Sequence, residues 1–238
     1  PLGVNSGTLQ ANGVAPVVNF SETGTFTVDG SGGTDLLVVN GSEDSDTITA
    51  DGNDVLVDPA GEPAREQVNY TSFNSLQVNG LFGNDTFNVT PSSAVSMFID
   101  GGDPIAPIGS VFVDTLNITA DVSSVFAPGP EADEGGFVID GNERISYDHI
   151  EAVSVIDSTQ SPGPIASTVC GTNGDDDITL IGISPLVFTV SVNDGPAVLY
   201  IGAGTVELQG KSGDDDIDVD LNVTTLGTTI TVDGDLPT

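Results

Sequence analysis

Hydrophobic residues recur at every second position in short runs along the whole chain, as in Leu76-Gln77-Val78, Phe87-Asn88-Val89, Ile178-Thr179-Leu180 and Val206-Glu207-Leu208. A period of two places successive side chains on opposite faces of an extended strand, so each run has one apolar face. Runs of about 4–7 residues broken by Gly, Asp, Asn and Pro predict many short strands joined by tight turns. No stretch carries the apolar spacing of an amphipathic helix. Segments 58–66, 103–109 and 127–136, rich in Pro, Gly and acid, predict exposed loops. The class expected is all-β.

The turns repeat. Gly41-Ser-Glu-Asp44-Ser-Asp46-Thr-Ile48 lies 130 residues before Gly171-Thr-Asn-Gly174-Asp-Asp176-Asp-Ile178. The same offset separates Gly80-Leu-Phe-Gly83-Asn-Asp85-Thr-Phe87 from Gly210-Lys-Ser-Gly213-Asp-Asp215-Asp-Ile217, and Tyr70 from Tyr200. Within each half the two turns stand 39 residues apart. A weaker copy sits between, where Tyr147-Asp-His-Ile150-Glu-Ala-Val153 repeats the spacing of Tyr70-Thr-Ser-Phe73-Asn-Ser-Leu76, and a degenerate turn runs from Gly109 to Leu116. A further turn spans Gly30 to Leu37. These registers divide the chain into an N-terminal strand or linker region (1–29), a first repeat unit (30–104), a degenerate middle repeat (105–160) and a second repeat unit (161–238). The last residues match a repeat boundary, which suggests a piece of a longer array.

The shared pattern is G-x-x-G-x-D-x-U-x, with U a large aliphatic residue or Phe. Glycines permit positive φ and tight turning. The Asp sets a carboxylate beside the turn's carbonyls. U and the residue two further on point into a core, as for Ile48 and Ala50, Phe87 and Val89, Ile178 and Leu180, Ile217 and Val219. The pattern resembles the calcium-binding nonapeptide repeats of RTX (hemolysin-type) proteins, which wind a parallel β-roll around calcium. It departs from them in lacking the second glycine of the opening doublet, and in spacings of 11 and 39 residues rather than nine. The longer tyrosine-led unit looks, more loosely, like the β-strand repeats of very large bacterial surface and adhesin-like proteins. The resemblance implies secretion, calcium-dependent folding and a structural or adhesive role.

Charge sharpens this picture. The 238 residues carry 36 acids against three bases, Arg65, Arg144 and Lys211, for a formal net charge of -33. A compact fold with that charge repels itself unless cations neutralise it. Of the acids 27 are Asp and 9 Glu. An excess of the shorter side chain points to turns and to hard-cation ligands. Asp35, Asp46, Asp85, Asp176 and Asp215 are the leading calcium ligands expected. Asp44, Asp175, Asp177, Asp214 and Asp216 are further ligands or flanking charge. The competing reading has the same carboxylates stabilise turns through backbone hydrogen bonds without metal. Zinc, copper and iron are not expected, since His149 and Cys170 are the sole residues of their kinds.

Several functions are excluded or disfavoured. A direct nucleic-acid partner needs a basic patch, and none exists. No run of 18 apolar residues is present to insert in a membrane as a helix. A single cysteine forms no internal disulfide. No G-x-S-x-G, Walker or H-E-x-x-H pattern occurs, and repeated acids are poor candidates for a unique catalytic pair, so the chain is read as a non-enzyme. Tyr70, Tyr147 and Tyr200 are read as packing residues.

The architecture expected is a right-handed parallel β-solenoid with calcium-binding turns. Coils of about 20 residues would give two per 39-residue unit. Tandem β-sandwich domains with calcium at the junctions are the alternative. The function expected is a calcium-rigidified structural module of a secreted, cell-surface bacterial protein, in a surface layer, fibre or adhesin stalk. Its partners would be neighbouring repeats of the same longer chain or other copies. A glycan- or protein-binding adhesin module is the alternative, and a β-helix polysaccharide-active enzyme a weaker one.

Overall fold

The computed structural model describes residues 6–9, 18–21, 26–105, 113–158, 165–221 and 227–234. Part of the degenerate turn from Gly109 lies outside the described residues. The described residues contain strands and turns and no helix. In chain order the strands are β1 (Ser6–Leu9), β2 (Val18–Ser21), β3 (Phe26–Asp29), β4 (Leu36–Asn40), β5 (Asp46–Ala50), β6 (Asp54–Pro59), β7 (Val68–Thr71), β8 (Ser75–Asn79), β9 (Thr86–Val89), β10 (Ser96–Asp100) and β11 (Thr115–Ala120). They continue as β12 (Ser123–Pro128), β13 (Gly135–Ile139), β14 (Ile145–Asp148), β15 (Ala152–Asp157), β16 (Ile165–Cys170), β17 (Asp177–Ser184), β18 (Val187–Val192), β19 (Val198–Ile201), β20 (Ala203–Gln209), β21 (Asp216–Asp220) and β22 (Thr229–Asp233).

Two large, mostly parallel sheets hold all but the β1–β2 hairpin. Sheet I has 11 strands in the order β21-β17-β18-β19-β15-β11-β9-β5-β6-β7-β3. Sheet II has 9 in the order β22-β20-β16-β12-β13-β14-β10-β8-β4. Both sheets are open. The chain passes from one to the other at two edges. Strands β8 and β10, parallel neighbours in sheet II, are joined through β9 in sheet I.

The period-two pattern sets the core. Ile48, Ala50, Phe87, Val89, Ile178 and Leu180 are buried, as the alternation predicts, and Ile217 and Val219 on edge strand β21 are half-buried. One apolar cluster draws side chains from both sheets, including Leu76, Val78 and Ile99 of sheet II and Leu116, Ile118 and Val155 of sheet I. Full burial of each such side chain contributes about 1.5–3 kcal/mol.

The 39-residue spacing has a different origin from the one expected. Leu36 pairs with Ser75 and Thr47 with Thr86, so residues 39 apart are direct lateral neighbours in both sheets. The unit is one circuit, not two coils. Its extra length is an antiparallel excursion, in which β5, β6 and β7 lie side by side as a three-strand meander in sheet I. The plain circuit is shorter, as Ser75 pairs with Ser96. A second meander, β12-β13-β14, lies in sheet II, and a third, β17-β18-β19, in sheet I. Tyr70, Tyr147 and Tyr200 each stand on the last strand of a meander, buried. The middle repeat is therefore the same local structure carried by the opposite sheet.

Candidate functional site

The repeated turns lie at the sheet crossings. Gly41–Asp46, Gly80–Asp85, Gly171–Asp176 and Gly210–Asp215 carry the chain from sheet II to sheet I, and Gly30–Asp35 carries it back. Each turn's aspartate points inward and accepts or donates along a stack. The Asp46 N–H donates to Asp85 Oδ1 at 2.7 Å, and the Asp85 N–H to Asp114 Oδ1 at 2.6 Å. The Asp114 N–H donates to Glu151 Oε2 at 2.7 Å. Beyond an interruption, the Asp176 N–H donates to Asp215 Oδ1 at 3.0 Å. At the other edge the Asp35 N–H donates to Asn74 Oδ1. These bonds satisfy turn amides that would otherwise be buried unpaired.

The first glycine of the turn clears space for this carboxylate. None of Gly30, Gly41, Gly80, Gly171 and Gly210 has positive φ, contrary to the expectation for them. A Cβ on Gly41 or Gly171 would come within 2.6 Å of Asp46 Oδ2 or Asp176 Oδ2, and Gly80 and Gly210 face Asp85 and Asp215 more closely still.

The turns come in two forms. In the closed form the residue after the glycine donates its N–H to the second carboxylate oxygen, Ser42 to Asp46 Oδ2 at 2.6 Å and Thr172 to Asp176 Oδ2 at 2.7 Å. Their hydroxyls add bonds to the same carboxylates. In the open form that residue is left-handed, at Ser31 (φ 63), Leu81 (φ 82) and Lys211 (φ 72). The second oxygens of Asp35, Asp85 and Asp215 are then buried without a hydrogen-bond partner. Open turns use positive φ at their fourth position, Gly33, Gly83 and Gly213, whereas closed turns do not. This is why Asp44 can stand there in the Gly41 turn.

Burial dominates the titration of two acids of the stack, Asp85 and Asp114. It pushes Asp85 up to about 7 and Asp114 up to about 6, against the opposing backbone hydrogen bonds they accept from Asp46 and Asp85.

The sequence-predicted residues thus separate into two sets. Asp46, Asp85 and Asp176 are buried, Asp35 and Asp215 half-buried, and all five turn inward. Asp44, Asp175, Asp177, Asp214 and Asp216 are exposed. The outer ones stack as well, since Asp177 pairs with Asp216 in the β17–β21 register and the Asp214 N–H donates to Asp175 Oδ1 at 2.8 Å.

Among the described residues, the acids and histidine near enough to share one ion are Asp133, Asp148 and His149, with ligand atoms within 4.8 Å of one another. None of the three was among the ligands expected. His149 Nδ1 lies 2.9 Å from Asp100 Oδ1, and this hydrogen bond is the main cause of its raised pKa. The group can hold a metal ion. His149 also has positive φ, as do Ser72 and Gly202 at the same repeat position. The shared need there is a left-handed corner, which His tolerates better than most residues. Glu151 was missed as well, although the spacing held a signal. It stands four residues after Tyr147, as Asn74 stands four after Tyr70, and both accept an aspartate N–H from the preceding circuit.

No family model, curated protein or solved structure matches this chain.

Proposed function

We propose that the chain is a structural module of an extracellular bacterial surface protein, a β-solenoid-like segment rigidified by its stacked carboxylates and by calcium. The observation that carries this reading is the stack itself, which ties turns 39 residues apart through Asp46 and Asp85 and extends to Asp114 and Glu151. Such a ladder stiffens a stack of circuits and serves no single site, as befits a stalk, fibre or layer. Circuits that return to parallel neighbours through the other sheet favour a right-handed winding. The resemblance to RTX and adhesin-like repeats points to the cell surface, with further repeats of the same chain as partners.

Calcium belongs with the outer acids in this reading. Among the inner carboxylates, Asp46 and Asp176 have both oxygens engaged by hydrogen bonds, whereas Asp35, Asp85 and Asp215 each keep one buried oxygen without a partner, beyond the reach of an exposed ion. Asp175, Asp177, Asp214 and Asp216 are exposed and stacked in like-charged pairs that a hard cation with oxygen ligands would relieve. Asp44 is exposed as well, but stands one position earlier in its turn, where the sister turns have Gly174 and Gly213. The group at Asp133, Asp148 and His149 offers a nitrogen ligand, a donor set that also suits a transition metal. The test is thermal unfolding by circular dichroism in millimolar calcium, in EGTA, and in magnesium at matched ionic strength. Calcium is expected to raise Tm by many degrees, and Asp175→Asn with Asp214→Asn to reduce that rise. Identical melts in calcium and EGTA would remove calcium from the proposal.

A further inference from the structure

The last residues of β4, β8, β10 and β14 form a row across sheet II, in which Asn40, Asn79, Asp100 and Asp148 each stand opposite the next in register. The row faces outward, since its neighbours Val78, Ile99 and Tyr147 are buried. Its first two rungs are amides, and Asn79 Nδ2 donates to Asn40 Oδ1 at 2.7 Å. The next two are carboxylates. Like charges directly opposite one another destabilise paired strands, so this end of the row calls for a cation. His149 stands between the two acids, with Nδ1 2.9 Å from Asp100 Oδ1 and Nε2 3.8 Å from Asp148 Oδ1. A third carboxylate arrives from another segment. Asp133, on the hairpin tip between β12 and β13, brings a ligand atom within 4.8 Å of those of Asp148 and His149. The Ile150 N–H holds that tip in place by donating to the Asp133 carbonyl at 3.1 Å.

Two features set this group apart from the acids of the turns. The first is its nitrogen and how that nitrogen is held. With Nδ1 engaged by Asp100, Nε2 is left for the other two carboxylates. An imidazole whose far nitrogen donates to a carboxylate has its tautomer and ring orientation fixed, as metal-ligating histidines do. The second is that the group does not repeat. Thr71 and Ser72 hold the positions of Asp148 and His149 in the first unit, and Ile201 and Gly202 hold them in the second. The winding requires only the left-handed φ that Ser72, His149 and Gly202 share, and it requires neither the imidazole nor the carboxylate. The turn aspartates, by contrast, recur from circuit to circuit.

We propose that Asp133, Asp148 and His149 bind one divalent transition-metal ion of the zinc class, through His149 Nε2 and an oxygen of each aspartate, with Asp100 as the positioning residue for the imidazole. One nitrogen and two carboxylates supply three of the four ligands such an ion takes, and water supplies the fourth. Bonds of about 2.0 Å set neighbouring ligand atoms about 3.3 Å apart around a tetrahedral ion, so His149 Nε2 and Asp148 have little distance to close. The nitrogen selects against calcium, which takes a larger number of oxygen ligands. The ion pins the hairpin tip at Asp133 to the corner between β14 and β15. This site stands apart from the calcium reading of the outer turn acids, and neither depends on the other.

The experiment is calorimetric titration of the intact chain with zinc at neutral pH, with cobalt absorption as a second readout. Millimolar calcium is present throughout, so that it and not zinc meets the turn acids. One saturable zinc site per chain is expected. Cobalt there should show the intense visible band of a four-coordinate ion, which the hydrated ion lacks. His149→Asn removes the nitrogen but keeps a residue that accepts left-handed φ, and it should abolish the saturable site. Asp133→Asn, on the hairpin tip, should weaken zinc at least about tenfold, and Asp100→Asn about tenfold with the stoichiometry unchanged. Asp175→Asn with Asp214→Asn should leave zinc binding as it was, which separates this site from the calcium reading. No saturable zinc binding in the parent chain would overturn the proposal and leave His149 as a counter-ion to Asp100 and Asp148. Zinc binding that survives in His149→Asn, or that calcium displaces on equal terms, would overturn it too.

Discussion

The Asp46 amide donates to the Asp85 carboxylate across 39 residues of sequence and one circuit of structure, at 2.7 Å, with both residues buried. Removing the acceptor leaves a buried amide unpaired. Asp85→Ala should cost about 1–3 kcal/mol in chemical denaturation. Asp85→Asn should cost much less, because the amide oxygen still accepts, as Asn74 already does for Asp35. Equal losses for the two variants would show that the stack contributes little.

Asp85, together with Asp114, also sets a pH dependence. Burial raises Asp85 from 3.8 to about 7 and Asp114 from 3.8 to about 6, so the folded state holds their protons more tightly than the unfolded chain. Their contribution to stability is fully present below the unfolded value and is lost as pH rises towards 7. Calorimetry in EGTA should show Tm falling between pH 5 and pH 8, with a shallower fall in Asp85→Asn. A rise over that interval would contradict the assignment.

Two glycines at one motif position should answer differently to alanine. Gly213 has φ 146, and a Cβ there would meet the Gly174 carbonyl. Gly174 lacks positive φ, and its nearest neighbour to a Cβ is Thr172 Oγ1 at 3.7 Å. Gly213→Ala should destabilise by about 1 kcal/mol or more, while Gly174→Ala should be neutral or stabilise by about 0.4–1 kcal/mol. Melting curves of the two variants side by side decide this.

The tyrosines divide in the same manner. Tyr70→Phe loses the hydrogen bond to Asp51 and should cost about 0.5–1.5 kcal/mol. Tyr200 is wholly buried with an unpartnered hydroxyl, so Tyr200→Phe should be neutral or stabilising. A loss at Tyr200 as large as at Tyr70 would reveal a partner for its hydroxyl.

Much of this fold was legible in the sequence, because alternation and burial share one cause. Ile48, Phe87 and Ile178 were assigned inward by period alone, and the 39-residue recurrence marked real neighbours. The meanders were not legible, since a strand within a hairpin and a strand of the next circuit carry the same local pattern. The role of the first glycine was hidden for a related reason. Sequence shows that a side chain is excluded, not whether φ or a nearby carboxylate excludes it. The Asp133, Asp148 and His149 group joins two separate segments, and no local spacing announces it.

Each meander enters and leaves its sheet in the same direction, because β5 and β7 both run antiparallel to β6. An added hairpin therefore contributes an even number of strands and leaves every later strand's polarity unchanged. Copies within an array can differ in length by such pairs while their aspartate turns stay on the same edge. A copy that gained one strand would reverse the direction of everything after it, so growth by single strands is closed to this architecture.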